Sequence, residues 1–165
     1  MKRVLLPLDL FRSRCDSLLY LRELAAETPL AVTLLHVVEL NIAPPPPRLY
    51  QQLCAEAEGA LRMLARHFFG HEQAARVCVR VGRAYEEIVA EARASRSELI
   101  ILSGFKPRGW RSWLRPSTVA RVVPSAPCPT LVLPLATKTD SPESLPVIHP
   151  RRSPAPLPTI FDKAA

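Results

Sequence analysis

Residues 30–39 read "LAVTLLHVVE", and this stretch decides the fold. Its apolar and β-branched residues fall on both parities, so a strand here needs cover on both faces. That is the mark of a parallel sheet flanked by helices, since an antiparallel sheet with one wet face alternates. Outward in both directions lie runs of similar character: "KRVLLPLDL" (2–10), "ARVCVRVG" (75–82), "ELIILS" (98–103) and "PTLVLP" (129–134). Each is short enough for a strand and rich in residues that suit one.

Helical patterns separate these runs. Ser13 and Asp16 have capping-box spacing and open "DSLLYLRELAAE", with Leu18, Leu21 and Ala25 on one face. In "YQQLCAEAEGALRMLARHFF" (50–69), Leu53, Ala57, Leu61, Leu64 and Phe68 share a face, and Gly70 is placed to end the helix. "RAYEEIVAEARAS" carries Glu86 and Glu87 early, where carboxylates suit the helix dipole. "PSTVARVV" predicts a short helix stopped by Pro124. Within residues 40–48, "APPPP" predicts a polyproline II excursion, neither helix nor inner strand. The alternation β-α-β-α-β-α-β-α-β predicts an α/β domain, a parallel sheet with helices on both faces, and no internal repeat is visible.

With 165 residues, 48% of them apolar, the chain is long enough for one domain with a substantial core. Its net charge of +7 favours anionic partners. Cys15, Cys54, Cys78 and Cys128 form no C-x-x-C, and no apolar run approaches the ~18 residues of a membrane span. The N-terminus lacks the apolar core of a signal peptide. These features predict a cytoplasmic protein with reduced thiols. Of 18 prolines, six fall in residues 135–165, which show no periodic apolar face. The expectation is a domain over 1–134 and a disordered Pro-rich tail over 135–165, whose end, "LPTIFDKAA", is a candidate docking peptide.

An open parallel sheet binds ligands beyond the carboxyl ends of its strands, where the strand order reverses. If the first strand is central and the fourth joins its far side, the crevice lies between Asp9 and the Ser103–Gly104 turn. Asp9 there suits a ribose or base; it equally suits a turn or helix cap. The stretch that follows, "SGFKPRGWRSWLRPST" (103–118), holds Lys106, Arg108, Arg111 and Arg115 with Trp110 and Trp113. Its cations suit phosphate, because guanidinium grips it bidentately. Interleaved with indoles, they suit an anchor pocket in a partner protein, a membrane surface, or single-stranded nucleic acid. One tryptophan packed on the sheet beneath solvated arginines is the plainer alternative.

The wording of "KRVLLPLDL", "VTLLHVV", "VRVGRAYEEIVAEARASRSELIILS" and above all "STVARVVPSAPCPTLVLP" resembles the universal stress protein family over about residues 2–134. The resemblance implies a five-stranded parallel sheet of order 3-2-1-4-5, Rossmann-like, and a homodimer through the last strand, here Thr130, Leu131, Val132 and Leu133. Members divide into ATP binders and non-binders. The binders are similar in carrying Gly-x-x-Gly, nine residues, then Gly-Ser or Gly-Thr. Counting back from "RVVPSAPCP" puts those positions at Ser103, Lys106, Pro116 and Ser117, where only the last fits. The other nucleotide positions of the binders fall on Pro7, Asp9 and Val38, which fit. Glycines there would let backbone N–H groups wrap phosphate, whereas Ser103 and Lys106 add side chains and Pro116 lacks the N–H.

His67 and His71 have metal-ligand spacing, but Gly70 ends the helix between them and no third ligand is evident. His36 reads as a satisfied strand histidine, and Cys128, between two prolines, as a packing residue. No nucleophile elbow is present. The expected function is therefore a non-enzymatic stress or regulatory module without the usual glycine-loop ATP site, needing no metal or cofactor. It would act through protein contacts at Arg108, Trp110, Arg111, Trp113 and Arg115, with an unknown protein partner. The alternative is an ATP or AMP sensor using Pro7, Asp9, Val38, Ser103, Lys106 and Ser117 with the basic loop. Nucleic acid is not an expected partner, and membrane-surface contact stands as a further candidate.

Overall fold

The structure, a computed structural model, describes residues 1–10, 16–39, 46–70, 75–104 and 117–133. Five strands and four helices alternate: β1 (Lys2–Pro7), α1 (Asp16–Glu27), β2 (Leu30–Val38), α2 (Pro47–Phe69), β3 (Ala75–Val81), α3 (Ala84–Ala94), β4 (Leu99–Ser103), α4 (Thr118–Ser125) and β5 (Thr130–Leu133). The sheet is parallel throughout, in the order β3-β2-β1-β4-β5. β1 is central, and the order reverses between it and β4, as the family resemblance implied.

Each face of the sheet has its own core. On one, Val4 and Leu6 of β1, Leu34 of β2 and Ile101 of β4 pack with Leu18 and Leu21 of α1 and Leu61 and Phe68 of α2. On the other, Leu5, Leu35, Ile100 and Leu102 pack with Ile88 and Val89 of α3 and Val122 of α4. Alternation along the strands divides these sets: Leu34 faces one core and Leu35 the other. Both are fully buried, which is why this stretch carries apolar residues on both parities.

Three details of the reading change. α2 begins at Pro47, inside the stretch read as polyproline, because a proline at the first helical position gives up no internal hydrogen bond. Its buried residues are Ala57, Leu61, Ala65 and Phe68, with Leu53 and Leu64 only half-buried. α4 runs through Pro124 to Ser125: the proline forgoes only the bond to the Ala120 carbonyl, in the last turn, and the helix ends one residue later. Gly70 does end α2, at φ 86° with its N–H donating to the Arg66 carbonyl. Ser13, His71, the 105–116 loop and residues 134–165 lie outside the described residues.

Candidate functional site: the crevice at the carboxyl edge

β1 pairs with β2 over six residues, from Lys2↔Leu30 to Pro7↔Leu35, but with β4 over only two, Val4↔Leu99 and Leu5↔Ile100. No register pair joins the central strand to β4 beyond Leu5, at the point where the topology reverses and an open parallel sheet takes its ligand in a crevice. Pro7 ends β1 half-buried, and Asp9 follows as an exposed residue on its rim. Val38 ends β2 half-buried, its carbonyl accepting the Gly82 N–H at 3.2 Å. The structure therefore brings Pro7, Asp9 and Val38 to neighbouring strand ends.

Across the crevice the polar groups are already committed inside the fold. Ser103, the last residue of β4, donates its hydroxyl to Ser17 Oγ of α1 at 3.1 Å. The Gly104 N–H donates to the Leu133 carbonyl at 2.6 Å, prolonging the ladder between β4 and β5. Ser117 is the N-cap of α4, and its Oγ accepts the Ala120 N–H at 3.2 Å. Lys106 and the partner-surface residues Arg108, Trp110, Arg111, Trp113 and Arg115 lie outside the described residues.

Three polar arrangements near the site were not read from the sequence. Glu39, one residue past β2, accepts the Ala84 N–H at 2.7 Å and so caps α3 from another element. Arg83 at the N-cap of that helix gives no side-chain cap, which is the signal that a partner had to come from elsewhere. Ser17 is fully buried beneath the end of β4. Glu91 of α3, 2% exposed, binds Arg76 and the fork of Arg80 on β3, with Arg80 Nε at 2.8 Å and Nη2 at 2.6 Å. Arginines at 76 and 80 share a strand face, and that spacing was the available clue.

His36 is a satisfied strand histidine, as read: it is 4% exposed and its Nδ1 lies 2.9 Å from the Leu8 carbonyl. Burial pushes the Cys128 thiol up from its ordinary pKa, in keeping with a packing role. Among the described residues, no three His, Cys, Asp or Glu side chains gather as a metal set. None of the described helices is long and apolar enough to cross a membrane.

No curated protein sequence matches the chain. Solved structures do. A universal stress protein UspA from Lactobacillus plantarum superposes with a TM-score of 0.64 at 21% identity, over 80% of this chain and 97% of that one. A universal stress protein crystallised in complex with cAMP gives 0.63 at 14% identity, over 82% and 98%. One from Archaeoglobus fulgidus in complex with dAMP gives 0.54 at 15%, over 80% and 97%. At such identities the likeness speaks for the fold. The family model described as the universal stress protein family matches residues 1–134, so the chain belongs to the universal stress protein family.

Proposed function

We propose that the protein is a non-enzymatic regulatory module of the stress response that does not hold ATP through a glycine loop and acts by protein contacts. One observation carries this reading: the groups at the end of β4 and the start of α4 are committed to partners within the fold. Ser103 Oγ is bonded to Ser17, the Gly104 N–H to Leu133, and Ser117 Oγ receives the Ala120 N–H. A phosphate needs donors. Two of those on offer there, the Ser103 O–H and the Gly104 N–H, already serve partners within the fold, whereas Ser117 spends only its oxygen on the cap. The loop cations and indoles at 106–115 and the tail beyond residue 134 are the proposed contact surfaces, in the cytoplasm. A second copy would pair along β5, whose Thr130–Leu133 carries no charge to discourage an incoming strand.

The second reading is an adenylate sensor. It is favoured by the grouping of Pro7, Asp9 and Val38 at the base end of the crevice, and by relatives crystallised with cAMP and dAMP. Asp9 and Val38 would take the base and ribose, and Ser117 with the loop arginines the phosphate.

Calorimetry with ATP, AMP and cAMP at low and physiological salt, beside Asp9→Ala, separates the two. No binding of any of them supports the contact module. Micromolar binding abolished by Asp9→Ala overturns it for the sensor, and steep weakening with salt would point to the loop cations. Charge reversal at Arg108 and Arg111 that removes a protein partner without changing nucleotide affinity supports docking at the loop.

A further inference from the structure

Leu8 is the first residue beyond β1, past the last register pair, Pro7↔Leu35. Its N–H donates to the Leu35 carbonyl at 2.7 Å, and its own carbonyl meets His36 Nδ1 at 2.9 Å. A carbonyl oxygen only accepts, so Nδ1 carries the proton. β2 thus holds Leu8 at both of its backbone groups, one by main chain and one by imidazole. The next residue is Asp9. Backbone direction at Leu8 sets where the Asp9 nitrogen and Cα lie, because the peptide between them is planar. The φ and χ1 of Asp9 then aim its carboxylate from that fixed base.

His36 lies on the sheet face shared with Leu34, otherwise lined by Leu6, Leu18 and Ile101. Space in such a core is filled as well by leucine. An imidazole there is warranted by the bond it makes, since buried polar groups are costly unless paired. We infer that His36 is a positioning residue for the crevice: its Nδ1–H fixes the Leu8 carbonyl and thereby the peptide plane from which Asp9 departs toward the occupant. The occupant's class, an adenylate, rests on the sensor reading above; the clamp on Leu8 does not.

The experiment uses the full chain with His36→Leu and His36→Asn, asparagine returning an N–H close to where Nδ1 stands. Amide hydrogen exchange at Leu8, Asp9 and Leu10 is read against Ile100 and Ile101, and AMP affinity is measured by calorimetry. His36→Leu should speed exchange at the three amides at least tenfold, leave Ile100 and Ile101 protected and, where the wild type takes AMP, weaken it about tenfold. His36→Asn should restore both. Unchanged exchange in His36→Leu, or identical behaviour of the two variants, overturns the clamp. A wild-type protein that ignores AMP defeats the sensor reading alone, and the exchange rates then decide the clamp. Should the variants not fold, a long-range ¹H–¹⁵N spectrum of the wild-type ring decides: a proton on Nδ1 supports the clamp, and a neutral ring protonated at Nε2 overturns it.

Discussion

The two edges of the sheet are built on opposite plans. β3 exposes an edge of seven residues and carries Arg76 and Arg80, tied to Glu91 and Glu87 of α3. β5 exposes an edge of four and carries no charge. Val132 there is 40% exposed, and the Thr130 hydroxyl oxygen is buried without a partner among the described residues. Arginines along an edge make strand addition expensive, because an arriving strand must displace or desolvate them. The difference sets an edge guarded by paired charge against one that, among the described residues, carries none.

The comparison breaks most visibly at the closed edge. Arg80→Met removes the fork from a carboxylate that is 2% exposed and leaves it with Arg76 alone. Urea denaturation should show a loss of about 3 kcal/mol. Glu91→Gln should cost less, because Arg76 and Arg80 keep 58% and 31% of their side-chain surface in water and can resolvate. Equal losses would mean that the carboxylate is not the member that burial penalises.

Next comes the open edge. Val132→Lys places a charge on β5, and like charges meet across any pairing of two copies. If a second copy binds there, light scattering after size exclusion should show the dimer weakened at least about tenfold, equivalent to about 1.4 kcal/mol. A wild-type chain that is monomeric at micromolar concentration ends the dimer reading. Thr130→Val sharpens the same point: removing a buried, unpaired hydroxyl should stabilise the protomer by about 1 kcal/mol in dilute denaturation. A loss of stability instead means that the hydroxyl finds a donor in solution.

The smallest effect belongs to an exposed pair, which calibrates the buried one. Glu98 accepts the Arg3 N–H at 3.0 Å, and that bond, followed by the Arg3 charge, holds its carboxyl below the ordinary 4.5. A depressed carboxylate stabilises the fold above its unfolded pKa, and the contribution fades as pH falls through the lower folded value. Glu98→Gln should therefore shift the melting temperature slightly at pH 7, and not at all at pH 2. A shift that survives at pH 2 would assign the effect to packing.

Much of the fold was legible because it is written in local terms. Leu34 and Leu35 announce a strand covered twice, and Gly70 announces the end of α2. Pro47 and Pro124 misled at helix ends, where a proline is tolerated in the first turn and does not halt the chain at once in the last. The site was half legible. Pro7, Asp9 and Val38 came from the resemblance and the switch-point rule, while Ser17, Glu39 and Glu91 did not. Two of these bind a group far away in sequence, 45 residues off for Glu39 and 86 for Ser17, while Glu91 reaches 11 and 15 residues back to the strand before it. Their own neighbourhoods look like ordinary helix and loop surface. Long-range polar pairing leaves no periodic trace.

The two-residue ladder between β1 and β4 has a mechanical consequence. β4 borders the crevice on one side and carries β5 on the other through four register pairs. Its last residue, Ser103, is also tied to Ser17 of α1, beneath the end of the strand. Because four register pairs join β4 to β5, a displacement of β4 against β1 would carry β5 with it. A ligand between β1 and β4 and a partner on β5 would therefore both bear on β4.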